Sequence, residues 1–147
     1  LLAVALGGEV GVSDKPELGY PQVELTESAS EHPLLMDFPK QCRWLQWHEA
    51  EVKTVPDGLR VMASSADCAV QILAADNHVL SLQFHAEAVP RQIERWTASA
   101  DNAKSMRDLN GDDAVEKLLS ESESYLANAE LQADRLFQAW LTASRIC

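Results

Sequence analysis

The sequence lacks long apolar runs and is poor in basic residues, and each shortage argues against a class of function. No apolar run approaches the ~20 residues that a helix needs to cross a bilayer, so we expect no membrane-spanning segment. Lysine and arginine number 12 against 23 acidic residues, which gives a net charge of -11. A surface of that sign repels phosphate backbones and anionic lipids. We therefore expect neither nucleic acid nor a membrane as a partner.

Cysteine is also scarce, and its spacing does not suit metal or disulfide chemistry. Cys42, Cys68 and Cys147 are far apart, and none belongs to a Cys-x-x-Cys pair. The stretch His48-Glu49-x-Glu51 is not His-Glu-x-x-His and has no second histidine, so it does not predict a zinc site. The sequence predicts free thiols in a reducing, cytoplasmic compartment, and no bound metal.

What remains is the composition of an ordinary globular domain. The 147 residues are enough for one domain with a buried core, since 46% are hydrophobic and 24% charged. Residues 1–6 are apolar all round and are followed by Gly7-Gly8, which predicts a helix buried in an α/β layer. No initiator Met or basic segment precedes this helix. We therefore expect the chain to start partway through a domain.

The middle of the chain is rich in short β patterns. We predict strands at residues 9–12, 23–25, 42–48, 59–63, 69–74 and 79–84, a loop at 13–19 and one helical turn at 33–38. The strand at 23–25 is predicted to be exposed. The last two strands are expected to form a hairpin around Asp76-Asn77-His78.

From Val89 onward the pattern is helical. Asn110-Gly111 interrupts it, and Asp113 is placed to cap the tail, which is predicted to form one long amphipathic helix or two shorter ones. The apolar stripe of the tail includes Leu126, Ala129, Phe137 and Trp140. We expect this stripe to pack against the protein's own domain rather than to bind a partner.

His85 and Glu87 directly follow the apolar run 80–84. If the strand continues through Glu87, both side chains point to the same face of the sheet. In nucleophilic triads a carboxylate orients an imidazole in this way, and the imidazole acts as the general base. Alone, the pattern is weak, because most such residues near a strand end face solvent or cap a helix.

Several segments, taken in order, resemble class I glutamine amidotransferase domains of the GMP synthase glutaminase type. The matching segments are the helix at residues 1–10, Glu17-Leu18-Gly19, Leu25-Thr26, His32-Pro33-Leu34, Gln46-Trp47-His48, Ala63-Ser64-Ser65 and Gln83-Phe84-His85-Ala86-Glu87. The resemblance covers residues 1–96 and implies an α/β fold with an open, mostly parallel sheet and flanking helices. Residues 97–147 would form a helical C-terminal extension packed on or beside that domain.

The resemblance also implies roles for individual residues. His85 would be the general base of a Cys-His-Glu triad and Glu87 the carboxylate that orients it. His48 would either line the substrate pocket or make a strand-end hydrogen bond. The substrate would be glutamine, the released ammonia would pass to a synthetase or other protein partner, and no cofactor would be needed.

The sequence departs from the family pattern at the nucleophile and beside the base. None of its cysteines stands in the family's Gly-x-Cys-x-Gly elbow, and Ala86 replaces the proline between His85 and Glu87. Glu49-Ala50 stand where the family has Gly-Asp. Two alternatives remain open. One is a non-catalytic relative whose acidic tail, residues 112–145, binds another protein; the other is hydrolysis by Ser64 or Ser65, which requires a hydroxyl within ~3 Å of His85.

Overall fold

The computed structural model describes residues 1–77 and 79–144. The strands are β1 (Glu9–Gly19), β2 (Gln22–Leu25), β3 (Gln41–Arg43), β4 (Gln46–Thr54), β5 (Arg60–Ser64), β6 (Ile72–Ala75) and β7 (Val79–Leu82). The helices are α1 (Leu2–Ala5), α2 (Pro90–Ala98), α3 (Ala100–Asn110) and α4 (Ala114–Ala143), with a 3₁₀ helix at Glu27–Glu31. One sheet pairs β1 with β4, and another has the strand order β3-β2-β5-β6-β7.

The sheets are antiparallel wherever the structure describes them. All pairs from β1·β4 to β6·β7 run in opposite directions, so the prediction of a mostly parallel sheet is wrong for this part of the chain. The reason is the connections, because parallel neighbours need a crossover of about a dozen residues or more. Short turns and loops join β5, β6 and β7. The predicted hairpin is confirmed, with Ala75 paired to Val79.

Other local predictions differ from the structure because tertiary pairing overrides local pattern. Residues 13–19, predicted as a loop, belong to β1 and pair with β4 after an irregular stretch between Val12 and Glu17. The single strand predicted at 42–48 is divided into β3 and β4 by Trp44 and Leu45, which are both buried. At residues 33–38 the predicted single helical turn is present, since Met36 N donates to the His32 carbonyl at 3.0 Å, although the segment does not extend into a helix.

Burial also differs at two predicted elements. Helix α1 buries Ala3, whereas Leu1, Val4 and Leu6 are exposed, so the prediction of a fully buried helix is wrong. Strand β2 was predicted to be exposed, but Val23 is buried. It pairs with both β3 and β5, which places it inside the sheet.

Helix α4 joins two regions of the hydrophobic core. At its N-terminal end, Leu118 packs with residues of α2, α3 and the end of β1, including Tyr20, Ile93 and Met106. At its C-terminal end, Leu136 packs with core residues of the larger sheet. The tail is thus one long amphipathic helix, which is the first of the two predicted forms. No described helix is both long enough and apolar enough to cross a membrane.

The predicted tail stripe packs mainly against the protein itself. Leu126 and Ala129 are buried, and Trp140 packs against the core beside the larger sheet. Phe137 is 53% exposed. The described part of the tail therefore gives little support to the alternative in which this stripe binds another protein.

Polar contacts also attach α4 to the end of β1. Glu121 Oε2 accepts a hydrogen bond from the backbone N of Tyr20 at 2.9 Å. Arg43 donates to the Tyr20 carbonyl at 2.7 Å and lies over the ring of Tyr125, 5.0 Å from its centroid. These contacts tie the tail to the strand pair that carries Glu17 and His48. The division of the chain into domains at residues 96 and 97 remains a prediction.

Candidate functional site

The structure brings His85 and Glu87 into direct contact. His85 Nδ1 lies 2.7 Å from Glu87 Oε1. The backbone differs from the prediction, because β7 ends at Leu82 and both residues lie in the turn that precedes α2. The two side chains therefore meet across a turn and not along a strand face.

His85 is held from more than one side. Its backbone N donates to the carbonyl of Leu45 at 2.8 Å, and its ring packs against Trp96 with centroids 5.2 Å apart and planes at 62°. The His85 side chain is 31% exposed and that of Glu87 is 62% exposed. With Nδ1 turned to Glu87, Nε2 is the ring nitrogen left for an external proton, and no described residue hydrogen-bonds to it. This arrangement suits a general base oriented by a carboxylate.

The described cysteines are not suited to be the missing nucleophile. Cys42 and Cys68 are free and buried. Burial raises the pKa of both thiols, that of Cys68 to about 11. A nucleophilic cysteine needs the opposite shift, because the thiolate is the reactive form. Cys147 lies outside the described residues.

His48 lies in a different, buried group of polar side chains. Its Nε2 is 3.1 Å from Glu17 Oε2, and the two side chains are only 8% and 5% exposed. The two residues are register partners on β4 and β1. Successive strand side chains alternate, so His48 faces away from its neighbour Trp47, whose ring contacts Trp96. The strand thus presents His48 to the face opposite the His85 contacts, and its role in a substrate pocket remains a prediction.

Glu17 is the centre of this buried group, although the sequence pattern gave it no role beyond its place in the resembling segment Glu17-Leu18-Gly19. Its Oε1 accepts from Ser65 Oγ at 2.6 Å, and its Oε2 accepts from Gln71 Nε2 at 2.6 Å. Gln71 Oε1 in turn accepts from Gln46 Nε2 at 2.9 Å. The sequence signal was weak, namely glutamines within apolar strands and one glutamate in an apparent loop. We refer to Glu17, Gln46, His48, Ser65 and Gln71 as the Glu17 network.

The Glu17 network also bears on the alternative nucleophile and on metal binding. The Ser65 hydroxyl donates its hydrogen bond to Glu17, which argues against a proton transfer from Ser65 to His85. Ligand atoms of Glu17, His48 and Cys68 lie within 4.8 Å of one another. However, both carboxylate oxygens already accept hydrogen bonds, and the Cys68 thiol donates to the Val70 carbonyl at 3.5 Å. The chemistry favours a hydrogen-bonded network over a metal site.

The chain matches a known protein family and several curated proteins. The family described as glutamine amidotransferase class-I matches residues 1–98. The chain is 37% identical over 89 residues to a GMP synthase (glutamine-hydrolysing) of Lacticaseibacillus rhamnosus, covering 59% of this chain and 17% of that protein. It is 35% identical over 88 residues to a glutamine-hydrolysing GMP synthase subunit of Sulfolobus acidocaldarius, covering 59% of this chain and 45% of that protein.

Solved structures show the same fold. A glutamine amidotransferase of Methylobacillus flagellatus superposes with a TM-score of 0.83 at 19% identity, covering 97% of this chain and 58% of its own. One from Thermotoga maritima gives 0.75 at 21% identity, covering 97% and 57%. The chain thus has the class I amidotransferase-like α/β fold over part of the length of these proteins, and it spans less than half of the two GMP synthases. Because the family match extends over residues 1–98, the chain belongs to the class I glutamine amidotransferase family.

Proposed function

We propose that this chain supplies the general base and its orienting carboxylate to a glutaminase site. The observation that carries the proposal is the 2.7 Å contact between His85 Nδ1 and Glu87 Oε1. It leaves Nε2 as the nitrogen that exchanges protons with substrate. The similarity to glutamine-hydrolysing GMP synthases supports glutamine as the substrate.

The reaction we propose has two stages. In the first, His85 Nε2 takes the proton of a cysteine thiol in the complete domain, the thiolate attacks the carboxamide carbon of glutamine, and backbone amides stabilise the oxyanion. The C–N bond breaks as His85 Nε2 protonates the departing ammonia. In the second, His85 Nε2 removes a proton from water, which attacks the thioester and releases glutamate and the free thiol. Glu87 accepts the hydrogen bond from Nδ1 throughout, and the ammonia passes to an acceptor on a synthetase domain or partner, in the cytoplasm.

By itself this chain is expected not to hydrolyse glutamine. Cys42 and Cys68 are buried thiols with raised pKa values, and neither lies in a glycine-flanked turn at a helix N-terminus, where a thiolate is stabilised. We propose that the nucleophile of the site belongs to a segment of the complete domain that precedes α1, where the family resemblance places the nucleophile elbow.

The test begins with the coding sequence upstream of Leu1. We expect a Gly-x-Cys-x-Gly segment there and glutamine-dependent ammonia release by the protein that contains it. His85→Gln should lower kcat by about 10²–10⁴-fold, because the proton transfers lose their base. Glu87→Gln should lower kcat by at least about 10-fold with little change in KM, because the ring loses its orienting charge.

Glu94→Gln is the matched control, since this glutamate is exposed on α2. It should keep wild-type activity. The absence of an upstream cysteine elbow would end the enzymatic proposal. Full activity in His85→Gln would refute the role assigned to His85.

A further inference from the structure

The backbone around His85 gives its imidazole little support of its own. Ala86 replaces the proline that resembling domains place after the histidine, so φ at residue 86 is not fixed by a ring. The turn is closed by long hydrogen bonds, Ala86 N to Phe84 O at 3.3 Å and Ala88 N to His85 O at 3.4 Å. Glu87 is 62% exposed. Because Glu87 is largely exposed to water and lies on a turn closed by long hydrogen bonds, its carboxylate restrains the His85 imidazole only weakly.

A rigid contact comes instead from the following helix. Trp96 of α2 packs edge-to-face against the His85 ring, with centroids 5.2 Å apart. Trp47 of β4 packs edge-to-face on Trp96 in turn, at 5.6 Å and 75°. Ile93, one helical turn before Trp96, is 2% exposed and anchors α2 in the core. The indole is therefore packed against a strand on one side and carried by a helix that is anchored by Ile93, its buried neighbour on the same face.

The same strand also fixes the backbone of His85. Leu45, two residues before Trp47, accepts the hydrogen bond from His85 N through its carbonyl. The segment from Leu45 to Trp47 thus supports the main chain of His85 directly and its ring through Trp96. The imidazole therefore packs against an indole that β4 and α2 hold in place, independently of the turn that carries His85.

We propose that Trp96 is a positioning residue for His85. Its indole, supported by Trp47, holds the imidazole with Nδ1 toward Glu87 and Nε2 free, the orientation that a general base requires. The catalytic meaning of this orientation rests on the function proposed above. The orientation itself can be measured without glutamine, so failure of one proposal is distinguishable from failure of the other.

The experiment is ¹⁵N NMR of the histidine side chains in the full chain, at alkaline pH. In the wild type we expect the Nδ1–H tautomer to dominate and the ring protons to show a ring-current shift from the indole. Trp96→Ala should remove that shift and lower the Nδ1–H to Nε2–H ratio by about 2- to 12-fold, the equivalent of one aromatic pair. Trp96→Phe keeps an aromatic partner and should restore most of the ratio.

The outcomes separate positioning from general stability. His32 is fully buried and its Nε2 lies 2.7 Å from the Asp76 carbonyl, so its signals report whether each variant is folded. Wild-type ratio and ring-proton shifts in a folded Trp96→Ala would overturn the proposal, as would a Trp96→Phe variant that behaves like Ala. If Trp96→Ala does not fold, Trp96→Leu decides by the same criteria, because it fills the space without an aromatic ring.

Discussion

Removing the Glu17 carboxylate should destabilise the protein more than any single exposed charge does. In Glu17→Ala, Ser65 Oγ, Gln71 Nε2 and His48 Nε2 all lose an acceptor. A buried donor left unpaired costs about 1–3 kcal/mol. Gln71 Nε2 keeps a contact to Ser65 Oγ at 3.1 Å and Ser65 Oγ one to the Cys68 carbonyl at 3.4 Å, so the three donors together should cost up to about 6 kcal/mol. Releasing the desolvated carboxylate offsets part of this cost. We expect a loss in the free energy of unfolding of about 4 kcal/mol.

Glu17→Gln separates the acceptor geometry from the charge. The new amide can direct its oxygen to Gln71 and His48, while its nitrogen faces Ser65 Oγ, which already accepts from Cys68 N and Gln71 Nε2. Only the charge and part of the geometry are then lost, so we expect a smaller cost of about 1–2 kcal/mol. A larger loss for Ala than for Gln would show that unpaired donors, rather than a missing charge, set the stability.

Urea unfolding followed by tryptophan fluorescence measures both variants. With an m-value of about 2 kcal/mol/M, Glu17→Ala should lower the midpoint by about 2 M and Glu17→Gln by about 0.5–1 M. Glu49→Ala is the control, because this glutamate is exposed on β4 next to His48, and its effect should stay within about 0.5 kcal/mol. A Glu17→Ala variant within about 1 kcal/mol of wild type would refute the reasoning that the buried donors depend on this carboxylate.

Further predictions concern a buried thiol and a strained glycine. Cys68 should resist alkylation at pH 8 in the folded protein, as read by peptide mass spectrometry, because it is 1% exposed and its pKa is about 11. In the unfolded state the thiol titrates near 9, so the unfolded state loses its proton at a lower pH than the folded state does. The free energy of unfolding should therefore fall as pH rises from about 9 to about 11, and a Cys68→Ala variant should lack that component. In urea unfolding, Gly19→Ala should lower the free energy of unfolding by at least about 1 kcal/mol more than Gly58→Ala does. Both glycines have positive φ, but a Cβ at Gly19 would lie 2.5 Å from Glu121 Oε2, whereas a Cβ at Gly58 would have nothing within 4 Å. Equal costs would show that Glu121 moves aside freely.

Some features of this protein could be predicted because they are local in the chain. His85 and Glu87 are two residues apart, so their side chains can meet in a turn as well as on a strand, and they are in contact although the predicted backbone was wrong. The β6–β7 hairpin likewise follows from two apolar runs around a short polar turn. The ordered segments that resemble the family spanned nearly the same region as the family match, residues 1–98.

The sheet direction could not be obtained from the same patterns. Alternating and apolar runs indicate strands but do not state which strands pair, and the resemblance suggested parallel neighbours. In the described residues, short connections between β5, β6 and β7 lead to antiparallel pairing. The segment 13–19 shows the same limit, because its Gly, Pro and Asp content indicates a loop while pairing with β4 makes part of it strand.

The sequence by itself determined the family, the short hairpin and the neighbouring members of the proposed His-Glu pair, because each depends on residues close together or on ordered motifs. Only the tertiary structure decided the Glu17 network and the Trp96 contact. Glu17 meets Gln71 across 54 positions, and Trp96 on a helix meets Trp47 on a strand. Such contacts depend on how helices and strands pack against one another, and a local sequence pattern does not predict that packing.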